Sequence, residues 1–180
     1  MSLAVLAVGV IGIIAMQKVT IASNVHAKNL SIATHIGQSW LGILEAESSL
    51  WGADGSFGRT TWLLQGNGTS DWFRPNYDAT RVFGAAFDAL GNPVTDVNQG
   101  TATRFCVDLR LSPLNPPTDG AGLIRIEVRV VWLRDEGIVA GSVVPPSQAC
   151  GLSSTALASP DAQRLFHFVF MAGAVRQVVS

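Results

Sequence analysis

The chain has 180 residues, 12 basic and 13 acidic side chains and a formal net charge of −1. No basic cluster stands out, which argues against a nucleic-acid surface, so no nucleic-acid partner is expected. There is no Cys-x-x-Cys, His-x-x-x-His, phosphate-binding Gly-x-x-x-x-Gly-Lys or Gly-x-Ser-x-Gly pattern, so nothing points to an enzyme, a cofactor or a metal centre.

Met1 to Met16 carries no charged residue. Its length falls slightly short of the roughly 20 residues that cross a bilayer core. A signal peptide, a buried core helix and a membrane helix whose first residues lie upstream are the competing readings. The lack of a positive n-region disfavours the first and the small chain disfavours the second, which leaves a membrane helix as the expectation.

Beyond Met16 the composition turns polar while the helical period continues. Ile32, Ile36, Trp40 and Leu44 recur every four residues, with Ala33, Leu41 and Ile43 widening the stripe and Lys28, Thr34, Gln38, Glu45 and Glu47 falling elsewhere. No proline precedes Pro75, so one helix to about Leu50 is predicted, on the order of 70 Å long at 1.5 Å per residue. Gly9, Gly12, Gly37 and Gly42 are weak points in it, each costing about 1 kcal/mol against alanine.

From Trp51 to Gly100 turn residues dominate, with Gly66-Asn-Gly68 and Gly91-Asn-Pro93 as clear turn signals. Thr60 to Leu64 and Arg81 to Phe87 are short periodic pieces, either strands or brief helical turns. Three alternating runs follow. Phe105, Val107, Leu109 and Leu111 share one face of the first, opposite Arg104, Cys106, Asp108 and Arg110. Ile124, Ile126, Val128, Val130 and Trp132 share one face of Leu123 to Leu133, opposite Arg125, Glu127 and Arg129. In Arg164 to Met171 the apolar face is read as Phe166, Phe168 and Phe170. Loops are expected around Pro113, Pro116 and Pro117 and from Pro145 to Pro160. Three half-apolar strands need a covering layer, and the amphipathic half of the first helix supplies it. The fold class is therefore α+β, with a helix over 1–50 and a globular domain over 51–180.

Cys106 and Cys150 are the only cysteines, and a single disulfide is the reading if the chain is exported to an oxidising compartment. His26 and His35 are nine positions apart, about 180° around a helix, and so do not share a ligand. Asp54, Asp71, Asp78, Asp96 and Asp119 sit near turn residues without the spacing of a calcium loop. Arg104, Arg110, Arg125 and Arg129 on outer strand faces are read as solvated surface or, if the strands are neighbours, a shallow positive stripe for another subunit. Trp51, Trp62 and Trp72 are read either as exposed surface for a partner or as partly buried residues.

Residues 3–17, LAVLAVGVIGIIAMQ, resemble the interior of the N-terminal helix of type IV pilin-like proteins, most closely the minor pilin family called PilV, the type IV pilus modification proteins. Residues 124–132, IRIEVRVVW, resemble the late strand ending in tryptophan found in such minor pilins. The family's basic leader, cleavage glycine, methylated first residue and nearby glutamate are absent from this sequence, and an upstream leader is the expectation. The resemblance implies a type IV pilin-like fold, a long N-terminal helix packed on a mainly antiparallel sheet. It implies a minor pilin that is held in the bacterial inner membrane with its domain in the periplasm and later incorporated in a pilus at the cell surface. Its implied partners are other major and minor pilins through the first helix, an inner-membrane assembly platform, and prepilin peptidase if the leader exists. Leu3, Leu6, Val10, Ile13 and Ile14 are the residues expected to make the helix contact. A minor pseudopilin of a type II secretion system and a membrane-anchored binding module or hydrolase are the alternatives.

Overall fold

The computed structural model describes residues 2–52, 55–66, 71–95, 102–115, 122–134 and 148–177. It contains helices α1 (Ser2–Ser48), α2 (Trp62–Gln65), α3 (Gln148–Gly151), α4 (Ser154–Leu157) and α5 (Pro160–Leu165), and strands β1 (Ala86–Phe87), β2 (Phe105–Asn115), β3 (Leu123–Leu133) and β4 (Phe166–Arg176). The strands form one antiparallel sheet in the order β1-β2-β3-β4. By its contacts the chain divides into two units, Met1–Ile32 and Ala33–Ser180, and the boundary falls inside α1.

Within the second unit the last turns of α1 pack on the sheet, the arrangement expected from the two periodicities. Ala33, Ile36, Trp40 and Leu44 are buried, and they meet a sheet face built from Phe105, Val107, Leu109 and Leu111 of β2 with Ile124, Ile126, Val128, Val130 and Trp132 of β3. Gly37 permits this approach. A Cβ placed there would lie 2.6 Å from Sδ of Met171, whereas one at Gly42 would meet nothing within 4 Å. Gly37 is thus a close-packing position, and only Gly42 behaves as the weak point expected of both.

Glu47 does not face solvent as its polar character suggested. It continues the buried stripe of Trp40 and Leu44 at helical spacing. Its carboxylate accepts from the backbone N–H groups of Thr61 at 2.9 Å, Trp62 at 3.0 Å and Leu63 at 3.1 Å. Arg81 adds a charged donor at 2.6 Å. These donors replace the water lost on burial, and they cap the start of α2.

The third strand corrects the sequence reading in length and in parity. The β3–β4 ladder pairs Leu123 with Arg176 and Leu133 with Phe166 without a shift, so β4 runs five residues past Met171. The residues on its α1 side are His167, Val169, Met171, Gly173 and Val175, since Gly173 lies against Leu41 and Met171 against Gly37. Phe166, Phe168 and Phe170 face the other way. There Phe166 joins a second core with Cys106, Val131, Leu133, Cys150, Leu157 and Ala162. Pro113, expected in a loop, lies in β2 opposite Ile124, just before the register shift that ends at Asn115. The stretch to Pro160, also expected as loop, contains α3 and α4. Helix α5 then starts at an N-cap, Ser159, whose hydroxyl accepts from the Ala162 N–H, with a proline in its first turn.

Among the described residues no helix is long and apolar enough to cross a membrane. This overturns the expected transmembrane helix and, with it, the expected inner-membrane placement with a periplasmic domain and a later place on the cell surface. The physical reason within the described residues is polarity: Gln17, Lys18, Thr20, Ser23, Asn24 and Lys28 interrupt the apolar character of α1 beyond Met16.

Candidate assembly surface

The first unit is helical throughout its described length, and among the side chains described there several large apolar ones are uncovered. Ile13, Ile14, Met16, Val19, Ile21 and Val25 are all exposed, Met16 to 75 % and Val19 to 71 %. At about 100° per residue, Ile14, Ile21 and Val25 fall on one side of the helix. Met16, Val19 and Leu30 fall on nearly the opposite side, and Ile13 lies between. A helix with apolar side chains on several sides has no single face to lay in a groove. It is satisfied only when surrounded.

The same stretch has packing features of its own. Ile13, Met16, Gln17 and Thr20 stand at i, i+3, i+4 and i+7 and, with Ile21, line a shallow, largely apolar hollow. Four residues at that spacing form the hole that receives one side chain from a neighbouring helix. Thr20 donates its hydroxyl to the Met16 carbonyl at 2.9 Å, so that group keeps a partner when water is excluded. Of the residues expected to make the helix contact, Ile13 and Ile14 are exposed in this stretch. Leu3, Leu6 and Val10 lie outside the residues whose side chains are described.

A second cluster lies on the outer face of the sheet. Asp108 and Arg129 are cross-strand neighbours and both are buried. Arg129 donates to Oδ2 of Asp108 from Nη2 at 2.7 Å and from Nε at 3.2 Å. Arg74 donates to Oδ1 from Nη2 at 2.9 Å and from Nε at 3.2 Å. Arg74 also donates to the carbonyls of Cys150 and Leu152. Cys150 is bonded to Cys106 with Cα atoms 5.4 Å apart, so one guanidinium and one disulfide hold the α3 segment on the sheet. The Trp72 ring meets two guanidinium groups, with the guanidinium carbons of Arg110 and Arg129 at 4.9 and 4.6 Å from its centroid. Phe170 meets its edge at 6.0 Å.

Chain-order alternation made this face look solvated and positive. The structure sets two carboxylates among four guanidinium groups, so the face is ion-paired but keeps a net positive charge. Glu127 accepts from Arg110 at 2.6 Å and from Arg125 at 2.9 Å, and Asp108 is shared by Arg74 and Arg129. Which charges face each other depends on strand register, which a linear reading does not contain. Trp51 and Trp62 belong to the buried core, Trp51 stacked on Phe57 at 4.9 Å and Trp62 edge-on to Trp40 at 5.2 Å. Only Trp72 of the three is partly open.

Among the described residues no group of three His, Cys, Asp or Glu side chains is placed to hold a metal ion. Asp78 accepts from the N–H groups of Thr80 and Arg81, the local turn bonding expected of it. Asp88 accepts from the Leu90 and Asn92 N–H groups, both at 2.8 Å, and from the Asn92 amide at 3.0 Å. Burial, the largest influence, raises its pKa, but these bonds together outweigh it and the carboxyl sits below its ordinary value. The His167 ring lies tilted against Trp132, with centroids 5.1 Å apart. Asp54, Asp96 and Asp119 lie outside the described residues. What the structure supports is therefore an α+β domain with the end of α1 packed on an antiparallel sheet, and a set of exposed apolar side chains between Ile13 and Val25. In comparisons with known proteins the chain matches no protein family, no curated protein and no solved structure.

Proposed function

We propose that this chain is a structural subunit, of the minor-pilin or pseudopilin kind, that enters a helical assembly through the exposed part of α1. The observation that carries the proposal is the distribution of Ile13, Ile14, Met16, Val19, Ile21 and Val25 around the helix. Large apolar side chains on opposite sides of one helix are covered by several neighbouring helices, not by a single docked partner. The hole formed by Ile13, Met16, Gln17 and Thr20 gives such a neighbour a defined seat. The sequence resemblance of residues 3–17 and 124–132 agrees with this reading, and the partners it implies are the helices of other pilin-like subunits.

The test is an Ile13→Asp substitution in the full chain, expressed in its native host, with sheared filaments and secreted proteins probed by antibody. The variant keeps its Cys106–Cys150 bond and near-ultraviolet circular dichroism but is lost from the assembled fraction. Loss from filaments assigns the minor-pilin role, and loss of protein export assigns the pseudopilin role. Normal incorporation of a folded variant rejects both.

A further inference from the structure

The sheet has two edges, and among the described residues backbone pairing covers part of one and none of the other. On the β1 side, Ala86 and Phe87 pair with Cys106 and Phe105, and farther along Phe73 and Leu109 exchange two backbone bonds of 2.8 Å. On the other side β4 pairs with β3 over all 11 of its residues and is the last strand of the sheet.

Two backbone bonds fix which groups of β4 point outward. The Arg134 N–H donates to the Leu165 carbonyl and the Gln177 N–H to the Gly122 carbonyl, at 2.8 and 2.9 Å. Both pairs are on the β3–β4 register, one at each end. In an antiparallel ladder hydrogen-bonded and non-hydrogen-bonded pairs alternate, so the odd-numbered residues from 165 to 177 spend their amides on β3. The N–H and C=O groups of Phe168, Phe170, Ala172, Ala174 and Arg176 therefore face away from β3, whereas Phe166 spends its N–H on the Ala162 carbonyl and its C=O on Arg134 Nε at 3.0 Å. This edge has neither proline nor lysine and no bulge, the usual means of blunting an exposed strand. Phe170 is 63 % exposed, and Ala172, Ala174 and Arg176 are exposed beside it. Val169, Met171 and Gly173 on the α1 side remain partly open to solvent.

We infer that β4 is a docking edge for the β4 strand of a second copy of this chain, the two strands running antiparallel about a twofold axis at Met171. The volume pattern of the strand selects this occupant. Bulky residues fill its first half (Phe166, Phe168, Phe170) and small ones most of its second (Ala172, Ala174), all on the outer face. Centring the pair on Met171 sets Phe170 against the partner's Ala172, Phe168 against the partner's Ala174 and Phe166 against the partner's Arg176. On the α1 side it sets Val169 against the partner's Gly173. One register thus sets a large residue against a small one at the Phe170–Ala172 and Phe168–Ala174 pairs, with about eight new backbone hydrogen bonds at two per bonded pair. A single patch that complements itself is what a twofold interface requires. The contact uses only residues of β4 and does not rest on the role proposed for α1.

The full-length chain carrying Phe170→Cys and Ala172→Cys together tests this by mild oxidation and a non-reducing gel. In the inferred register, residue 170 faces 172 of the other copy in a hydrogen-bonded pair with Cα atoms about 5.5 Å apart, within disulfide reach. A covalent dimer is expected. Phe170→Cys alone stays monomeric, because the two copies of residue 170 are diagonal neighbours roughly 7–8 Å apart. Adding Ala174→Pro to the double-cysteine chain removes an outward N–H without breaking the β3 ladder and abolishes the dimer. Ala174→Trp, which sets a large side chain against Phe168, does the same should the proline variant misfold. The inference is overturned by absence of a dimer from the double-cysteine chain, by a dimer that survives both Ala174 variants, by efficient cross-linking of Phe170→Cys alone, or by cross-linking in cells only to a different protein.

Discussion

Beneath α1 the sheet presents Phe105, Val107, Leu109, Val128, Val130 and Trp132, all apolar and all buried. On the opposite face the same two strands present Cys106, Asp108, Arg110, Glu127 and Arg129, and what covers them is a disulfide loop and a set of guanidinium groups. The first face is held by burial, which is non-directional and tolerates small rearrangements. The second is held by directional charge pairs, where removing one member leaves another buried and unpaired. Substitutions of similar size should therefore cost more on the outer face.

Asp108→Ala is expected to have the largest effect, because it leaves Arg129 buried without its partner and releases Arg74. A loss of about 3–5 kcal/mol is expected in urea unfolding. A loss below about 1 kcal/mol would mean that the outer face is no more brittle than the inner one. Next is the disulfide. Replacing Cys106 and Cys150 together by alanine frees a loop with a sequence separation of 44, and loop-closure entropy gives about 4 kcal/mol as its upper value. Limited proteolysis of the double variant should cut first in the α3–α4 segment, with α1 and the inner face still protected.

The inner face is probed by two glycines on one helix. Gly42→Ala should stabilise the chain by about 1 kcal/mol through helix propensity alone. Gly37→Ala must displace the Met171 thioether, and should raise the melting temperature less than Gly42→Ala does. Equal shifts for both would show that α1 does not approach β4 as closely as the geometry requires. Asp88, away from both faces, gives the smallest effect. Its pKa is lowered from 3.8, so its stabilising contribution is present above that value and fades as pH falls through the depressed one. Asp88→Asn should lower the neutral plateau of a pH–stability curve slightly and leave stability below the depressed pKa almost unchanged.

The two faces also differ in how far sequence alone reveals them. Alternation in β2 and β3 located the apolar face correctly because burial there is a property of each strand separately. In β4 the three phenylalanines formed the more conspicuous pattern, while His167 and Gly173 hid the true inner row. Only pairing with β3 settles that parity. The Asp108–Arg129 pair is legible in neither strand taken by itself, because the two residues meet through register. Other misses had a local signal. Glu47 follows Leu44 by three and Trp40 by seven on one helical stripe, and Ser159-Pro160-Asp161 is a helix start written in consecutive residues. In the sequence reading Ile13 and Ile14 are only residues of an expected helix contact. Their distribution with Met16, Val19 and Ile21 around the helix needed the structure.

The order of strands in the sheet equals their order in the chain, and this has a kinetic consequence. Each ladder joins consecutive strands, so the sheet can assemble during synthesis by successive hairpins, without waiting for a distant segment to return. The Cys106–Cys150 bond becomes possible only after β3 has been made, and β4 is added after both cysteines have emerged. A variant that delays oxidation should therefore slow closure of the outer layer while leaving formation of the β2–β3 hairpin at its normal rate.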